Sequence, residues 1–146
     1  MQLPAELTGL TRGLHHVAIA VKSLAESRKL YEGAFGMRAL AVEFVPGQKV
    51  NVLVLFAGAQ RIELVEPASA DSPISAFLEK RGPGIHHVAW RVDDCAAALK
   101  HAAANGIALI DQAPRPGSHG TTIGFLHPKS TGGVLMELVE DPHSDH

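Results

Sequence analysis

Alternation between bulky and small or polar positions marks the first regular segment of the chain, LHHVAIAV at residues 14 to 21, and returns in IHHVAWRV at 85 to 92. Val17, Ile19 and Val21 share one face, as do Val88, Trp90 and Val92; His16, Ala18 and Ala20, or His87 and Ala89, share the other. A period of two predicts a strand with unlike faces. The bulky face suits packing beneath a helix, whereas small neighbours beside a histidine leave space for something that is not protein. A helical pattern follows each strand. Ser23 with Glu26 predicts a capping box, Leu24, Leu30, Tyr31 and Ala34 an apolar stripe, and Gly36 its end; Asp94 to Gly106 repeats the plan. Shorter apolar stretches come next, VNVLVLF and RIELVE in the first half, TTIGFL and VLMELVE in the second, separated by glycine and proline as in a meander. The pattern predicts an α+β fold in which one βαβββ unit is used twice, at residues 13–67 and 85–142, within a single domain spanning 1–146. Residues 68–84 predict a short connecting helix, with Ser72 as its cap, Pro73 at its first position and Gly82 at its end.

Self-similarity supports the doubling. HHVA at 15 to 18 recurs at 86 to 89, and ELVE at 63 to 66 recurs at 137 to 140. Between them AFGM (34 to 37) answers ANGI (104 to 107), and Pro46-Gly47 answers Pro116-Gly117. The offset varies slightly from landmark to landmark, which points to changes in loop length inside a duplicated unit.

Composition narrows the function classes. With 146 residues the chain can bury roughly 70% of its unfolded surface, so it needs no disulfide or structural metal merely to fold. A formal net charge of −2 excludes the basic balance of a nucleic-acid binder. No run approaches the roughly 18 apolar residues of a membrane span, and the start, MQLPAELTGLTRG, lacks a basic segment followed by an apolar one. A cytoplasmic protein that meets neither membrane nor nucleic acid is the expectation. The single cysteine, Cys95, falls in an alanine-rich helical pattern and reads as a small buried thiol, not a nucleophile.

Four residues carry the candidate chemistry. His16 and His87 lie on the less bulky face of the first strand of each unit, and Glu63 and Glu137 lie near the end of the last strand, alternating against Ile62 and Leu64 or Met136 and Leu138. Singly, such a histidine is ordinarily a satisfied core residue and such a glutamate a solvated one. Recurring at equivalent positions of both copies, on the inward face where an unpaired carboxylate is costly, they predict one divalent metal held by His16, Glu63, His87 and Glu137. Imidazole and carboxylate donors suit zinc, cobalt, manganese, iron or nickel better than calcium. His15 and His86 have the opposite parity and read as structural residues or outer partners of the ligands. His101 is expected to face solvent, and His143 and His146 to belong to a mobile polar tail. His119 and His127 fall in glycine- and proline-rich segments. PRPGSHG fits a loop closing over a ligand, and HPKSTGG offers Lys129, Ser130 and backbone amides to an anionic group. An ordinary turn is an equal reading of both.

With the doubled unit and its four ligands assembled, the chain resembles the vicinal oxygen chelate superfamily, whose paired βαβββ modules form a curved, mostly antiparallel sheet around a metal. More narrowly it is similar to the methylmalonyl-CoA epimerases. The likeness runs from about Gly13 to Pro142 and is carried by LHHVAIAV, QKVNV, IELVEP, DSPISAFLEKRGPGIHHVAWRVDD, APRPGSHG and FLHPKSTGGVLMELVE. The resemblance implies an isomerase inverting C2 of methylmalonyl-CoA through an enolate, one divalent metal (cobalt, zinc, manganese or nickel), an acyl-CoA substrate and a homodimer. Gln48, Lys49, His119, Lys129 and Ser130 become candidate substrate contacts. In one respect the chain departs from part of the family: some members carry glutamine where Glu63 stands and a separate glutamate in the strand that here reads QKVNVLVLF, with Val52 at or near that place. The expectation is therefore that Glu63 and Glu137 face the substrate carbon from opposite sides, each leaving the metal to act as base or acid, as in the symmetric arrangement of glyoxalase I. A glyoxalase I-like lactoylglutathione lyase and a non-catalytic small-molecule-binding protein of the same fold are the alternatives; an extradiol dioxygenase fits less well, because the chain offers a fourth ligand.

Overall fold

The computed structural model describes residues 10–143; the expected tail residue His146 lies outside the described residues. In chain order the elements are β1 (Thr11–Ala20), α1 (Leu24–Arg28) running on into a wide π-helical turn (Lys29–Ala34), β2 (Arg38–Ala39), β3 (Glu43–Val45), β4 (Val50–Ala57), β5 (Gln60–Pro67) and α2 (Pro73–Arg81). Then come β6 (Gly84–Val92), α3 (Cys95–Ala104), β7 (Arg115–Pro116), β8 (Thr122–Leu126) and β9 (Met136–Glu140), with short 3-10 turns at Ser118–Gly120 and Pro128–Ser130. The chain divides into two compact units, one formed by His16–His87 and the other by the residues on either side. The divisions fall inside β1 and β6, at the two histidine pairs. No helix among the described residues is long and apolar enough to cross a membrane.

In the unit His16–His87, β1 lies parallel to β5, and β5 antiparallel to β4. Both β2 and β3 pair with β4: Ala39 opposes Leu55 and Glu43 opposes Val52, a one-residue slip that marks a bulge between two pieces of one strand. Each face of this sheet carries its own core. Val21, Leu53, Leu55 and Leu64 pack beneath Leu24 of α1, and on the other face Ala20, Val52, Val54 and Val65 pack with Ile74 of α2. The small-residue face of β1 is thus not open along its length. Ala20, expected beside a ligand space, is fully buried in the cluster that α2 covers with Ile74, Phe77 and Leu78. In α2, Ser72 Oγ accepts from the Ile74 N–H, and the helix ends at Gly82, whose φ of 75° suits glycine. It belongs to the core of this unit.

The other unit repeats the plan, with β6 parallel to β9, β9 antiparallel to β8, and β8 antiparallel to β7. Asp94 caps α3 by accepting from the Ala97 N–H. Cys95, Ala98, Leu99 and Ala102 of that helix pack on Val92, Leu126 and Leu138, while Ala89, Ile123, Phe125 and Val139 form the opposite face. The doubled βαβββ arrangement is the one expected, mostly antiparallel with one parallel pair in each unit.

The changes of offset between the two copies are only partly a matter of loops. Ser23 and Asp94, the two helix caps, are separated by the same offset as the HHVA motifs, yet Gly36 and Gly106, just past the helix ends, are one residue closer. The extra residue of the first copy therefore lies within its helix, where it appears as the π-helical turn, with Phe35 N–H donating to Leu30 O. The wider turn rotates the apolar stripe: Leu24 is buried and Tyr31 packs on the core, but Leu30 is 47% exposed and Ala34 is also exposed, against expectation. The longer second hairpin, from Phe125 to Glu137 as against Val54 to Glu63, does place added residues in a loop.

Cys95 is fully buried, and burial, followed by the nearby carboxylate of Glu140, pushes its thiol up to about 12. Ionisation of this group favours the unfolded chain, so its contribution to stability is complete below pH 9 and is lost as pH rises toward 12. Alkylation of the native protein by iodoacetamide at pH 8 is expected to be undetectable within an hour and rapid in denaturant; fast labelling of the folded protein would contradict this burial.

Candidate active site

Identical registers in the two units position the four singled-out residues. Ala18 of β1 pairs with Glu63 of β5, and Ala89 of β6 pairs with Glu137 of β9. In each case the histidine precedes the paired alanine by two residues, so histidine, alanine and glutamate share one face. That face is sequestered: His16 is 3% exposed, Glu63 and His87 5%, and Glu137 4%. The alanines explain how imidazole and carboxylate can flank each other on adjacent strands, since any larger residue there would fill the space between them.

Within His16–His87 the geometry can be followed atom by atom. His16 Nε2 faces His87 Nε2 at 3.4 Å, with ring centroids 5.4 Å apart. The other nitrogen of His16, Nδ1, lies 3.2 Å from Glu63 Oε2, and His87 Nδ1 lies 2.9 Å from His86 Nδ1. His86 in turn packs edge-on against Phe77, 5.0 Å between centroids. The residue given the opposite parity thus touches a candidate ligand and buttresses it from outside. His15 instead forms a buried pair with Asp141 in the other unit, Nε2 to Oδ2 2.7 Å.

A divalent metal fits this donor arrangement. Two imidazole nitrogens bound tetrahedrally at about 2.1 Å from one ion stand about 3.4 Å apart, the separation seen between the Nε2 atoms. A metal-binding histidine ordinarily donates its second N–H to a carboxylate or another acceptor, which fixes the tautomer that leaves the first nitrogen unprotonated. Glu63 at His16 Nδ1 and His86 at His87 Nδ1 are such partners. The structure therefore brings His16, His87 and Glu63 together but holds Glu63 on the Nδ1 side of His16, away from the gap between the two Nε2 atoms. Glu137 stands at the equivalent place in the other unit, opposite Phe125 on β8.

The remaining candidates are scattered. Lys49, in left-handed backbone at φ 55°, forms an ion pair with Asp71, which with the Ser69 hydroxyl holds the Asp71 carboxyl down at about 2. Five positions separate Lys49 from Val54, the partner of Glu63, or roughly 17 Å along an extended strand. Gln48 accepts from the Ser72 hydroxyl through its carbonyl, tying the β3–β4 turn to α2. Ser130 accepts from the Ala108 N–H within the turn that follows β8, and Lys129 is exposed beside it. His119 adopts a left-handed conformation, φ 53°, in the Ser118–Gly120 turn. Val52 faces the same side as Glu63, inside the apolar cluster under α2, so no carboxylate arises from that position of β4. One residue at the site was not singled out from sequence: Arg61, whose Nε is 3.3 Å from Glu63 Oε2. Its position two residues before Glu63 on a strand, and the leucine at the matching point of the second copy, were the available signals.

Comparison with known proteins assigns the class. Residues 15–125 match the glyoxalase/bleomycin resistance protein/dioxygenase superfamily, to which the chain belongs. Within it, the chain is 44% identical over 130 residues to the mitochondrial methylmalonyl-CoA epimerase of Dictyostelium discoideum, covering 87% of this chain and 77% of that protein. The crystal structure of methylmalonyl-CoA epimerase from Mycobacterium tuberculosis is similar at 36% identity and a TM-score of 0.87, covering 94% and 91% of the two chains. A methylmalonyl-CoA epimerase in complex with methylmalonyl-CoA and an ammonium ion is similar at 33% identity and a TM-score of 0.85, covering 92% and 97%. The family is that of the methylmalonyl-CoA epimerases, isomerases that act on an acyl-CoA.

Proposed function

We propose that this protein interconverts the two C2 epimers of methylmalonyl-CoA, with Glu63 and Glu137 as its proton-transferring groups. The observation that carries the reading is the repeated register, a buried glutamate opposite an alanine with a histidine two residues before it, once in each copy of the repeat. Inversion of a carbon acid needs a base on one face of the planar intermediate and an acid on the other, because a single fixed group returns the proton to the side from which it came. A duplicated half-site meets that need with two carboxylates of the same kind. One carboxylate removes the C2 proton, the electron pair of the broken C–H bond moves into the thioester carbonyl, and the other carboxyl delivers a proton to the opposite face.

His16 and His87 would hold a divalent ion, with Glu63 and Glu137 as further ligands that exchange that role for proton transfer. The chemistry supplied by the ion when bound is Lewis-acid stabilisation of charge on the carbonyl oxygen. Lys129, exposed beside the Pro128–Ser130 turn, is the side chain proposed to meet the anionic part of the substrate, and the Asp71 ion pair gives Lys49 a structural occupation instead.

Solvent deuterium incorporation at C2 of methylmalonyl-CoA tests the reading. Native protein is expected to exchange the C2 proton and to invert the centre, to lose both activities on chelation, and to regain them on addition of cobalt(II) or zinc. Exchange that persists undiminished in metal-stripped protein would overturn the metal assignment. Absence of exchange, together with turnover of a glutathione hemithioacetal, would move the assignment to the lyase.

A further inference from the structure

Arg61 and Glu63 leave β5 on the same face, and Glu63 Oε2 is approached from two directions, by Arg61 Nε at 3.3 Å and by His16 Nδ1 at 3.2 Å. The arginine is 13% exposed and is fixed by more than charge. Its guanidinium lies over the ring of Phe56, its cross-strand partner, at 5.8 Å, and Arg38 covers the same ring from β2 at 5.3 Å. A planar, permanently charged fork held in this way is a rigid anchor for a carboxylate. The second copy differs at this strand position. The position matching Arg61 is Leu135, which packs against Ala89, Ile123, Phe125 and Val139. At this strand position one copy thus carries a cation and the other an apolar side chain; in the second unit Arg115, from β7, lies over the ring of Phe125, the cross-strand partner of Glu137, at 5.9 Å.

We infer that Arg61 is a positioning residue for Glu63: together with His16 it holds Oε2 outside the gap between the two Nε2 atoms, so that Glu63 serves as proton carrier more than as ligand. This rests on the epimerase reading above and deepens it. With Oε2 engaged, Oε1 receives the C2 proton as the C–H bond breaks, and the electron pair passes into the thioester carbonyl.

The test compares Arg61→Leu, the residue of the second copy, with Arg61→Gln and Arg61→Lys. Turnover, KM, deuterium incorporation with retention from each epimer, and cobalt(II) affinity by competition with a chromophoric chelator are measured on each. The leucine and glutamine variants are expected to lose about 10–100-fold in kcat, the scale of a misplaced reacting group, with KM and cobalt affinity within threefold of the native values. Lysine, which keeps the charge without the fork, should recover part of the loss and serves as the test if the other variants fail to fold. From one epimer, exchange with retention should persist while inversion falls; from the other, both should fall together. A kcat within twofold of native in all variants, a loss of cobalt affinity in step with activity, or equal losses from both epimers would overturn the inference while leaving the epimerase reading intact. Native protein that exchanges no C2 proton would overturn the reading itself, and this inference with it.

Discussion

Glu63→Gln and Glu137→Gln are each expected to lower the rate of C2 inversion by about 10²–10⁴-fold, the usual contribution of a positioned acid or base. Glutamine preserves the shape of the side chain and a carbonyl oxygen but can neither take up nor deliver a proton at neutral pH. The double variant should lose little beyond the worse single one, because inversion needs both groups and stops when either is missing. The partial reaction separates the two: a variant lacking one carboxylate can still exchange the proton on the face served by the other. Starting from each epimer in deuterium oxide, the single variants should therefore show mirror-image behaviour, with retained exchange from opposite epimers. Glu63 Oε2 approaches His16 at Nδ1, not at the Nε2 atom that faces His87, so the Glu63 variant is expected to keep its cobalt(II), measured by metal analysis after dialysis. Full turnover by Glu63→Gln with metal retained would rule out its part in proton transfer.

The largest expected loss of stability comes from Leu64→Ala. Leu64 is fully buried between Leu53 of β4 and Ile19 of β1, and it packs with Val21, Leu24 and Leu55. Removal of its branched end leaves a cavity beneath α1, which costs about 3 kcal/mol within the range of such truncations. For a chain of this length the loss corresponds to roughly 6–12 °C in Tm. Phe35→Ala, at a site 62% exposed, should change stability by no more than about 0.5 kcal/mol. Thermal melts of the two variants side by side provide the check; a loss below about 1 kcal/mol for Leu64→Ala would mean that the sheet and α1 close up around the vacated volume.

The contrast between those positions shows where sequence reasoning is strong. Alternation places Ile19 and Val21 against Ala18 and Ala20 correctly, because a pleated strand has only two faces and one of them must meet a helix. Strand parity also separates His16 and His87 from His15 and His86, which reach Asp141 and His87 respectively. What was not legible depends on chain length and cross-strand reach. Parity cannot say that α2 covers Ala20, because that contact joins residues far apart in sequence. A single strand pattern likewise cannot show that β2 and β3 are two pieces of one interrupted strand, since the bulge is defined only by the register on β4. Arg61 carries no such signal, because a lone arginine on a strand is commonly solvated and only its packing on Phe56 and approach to Glu63 show otherwise.

The π-helical turn at Lys29–Ala34 records how the two halves have drifted apart in length without losing step. An added residue in β1 or β5 would have turned His16 or Glu63 toward the opposite face and dismantled the half-site in one event. Added inside the helix, the same residue swells one turn, turns Leu30 outward, and leaves the strands on either side undisturbed. The helix acts in effect as a length buffer for the chain. Insertions in this architecture are tolerated where a coil can widen, and for that reason the spacing that defines each half of the site has stayed the same while the connecting segments have not.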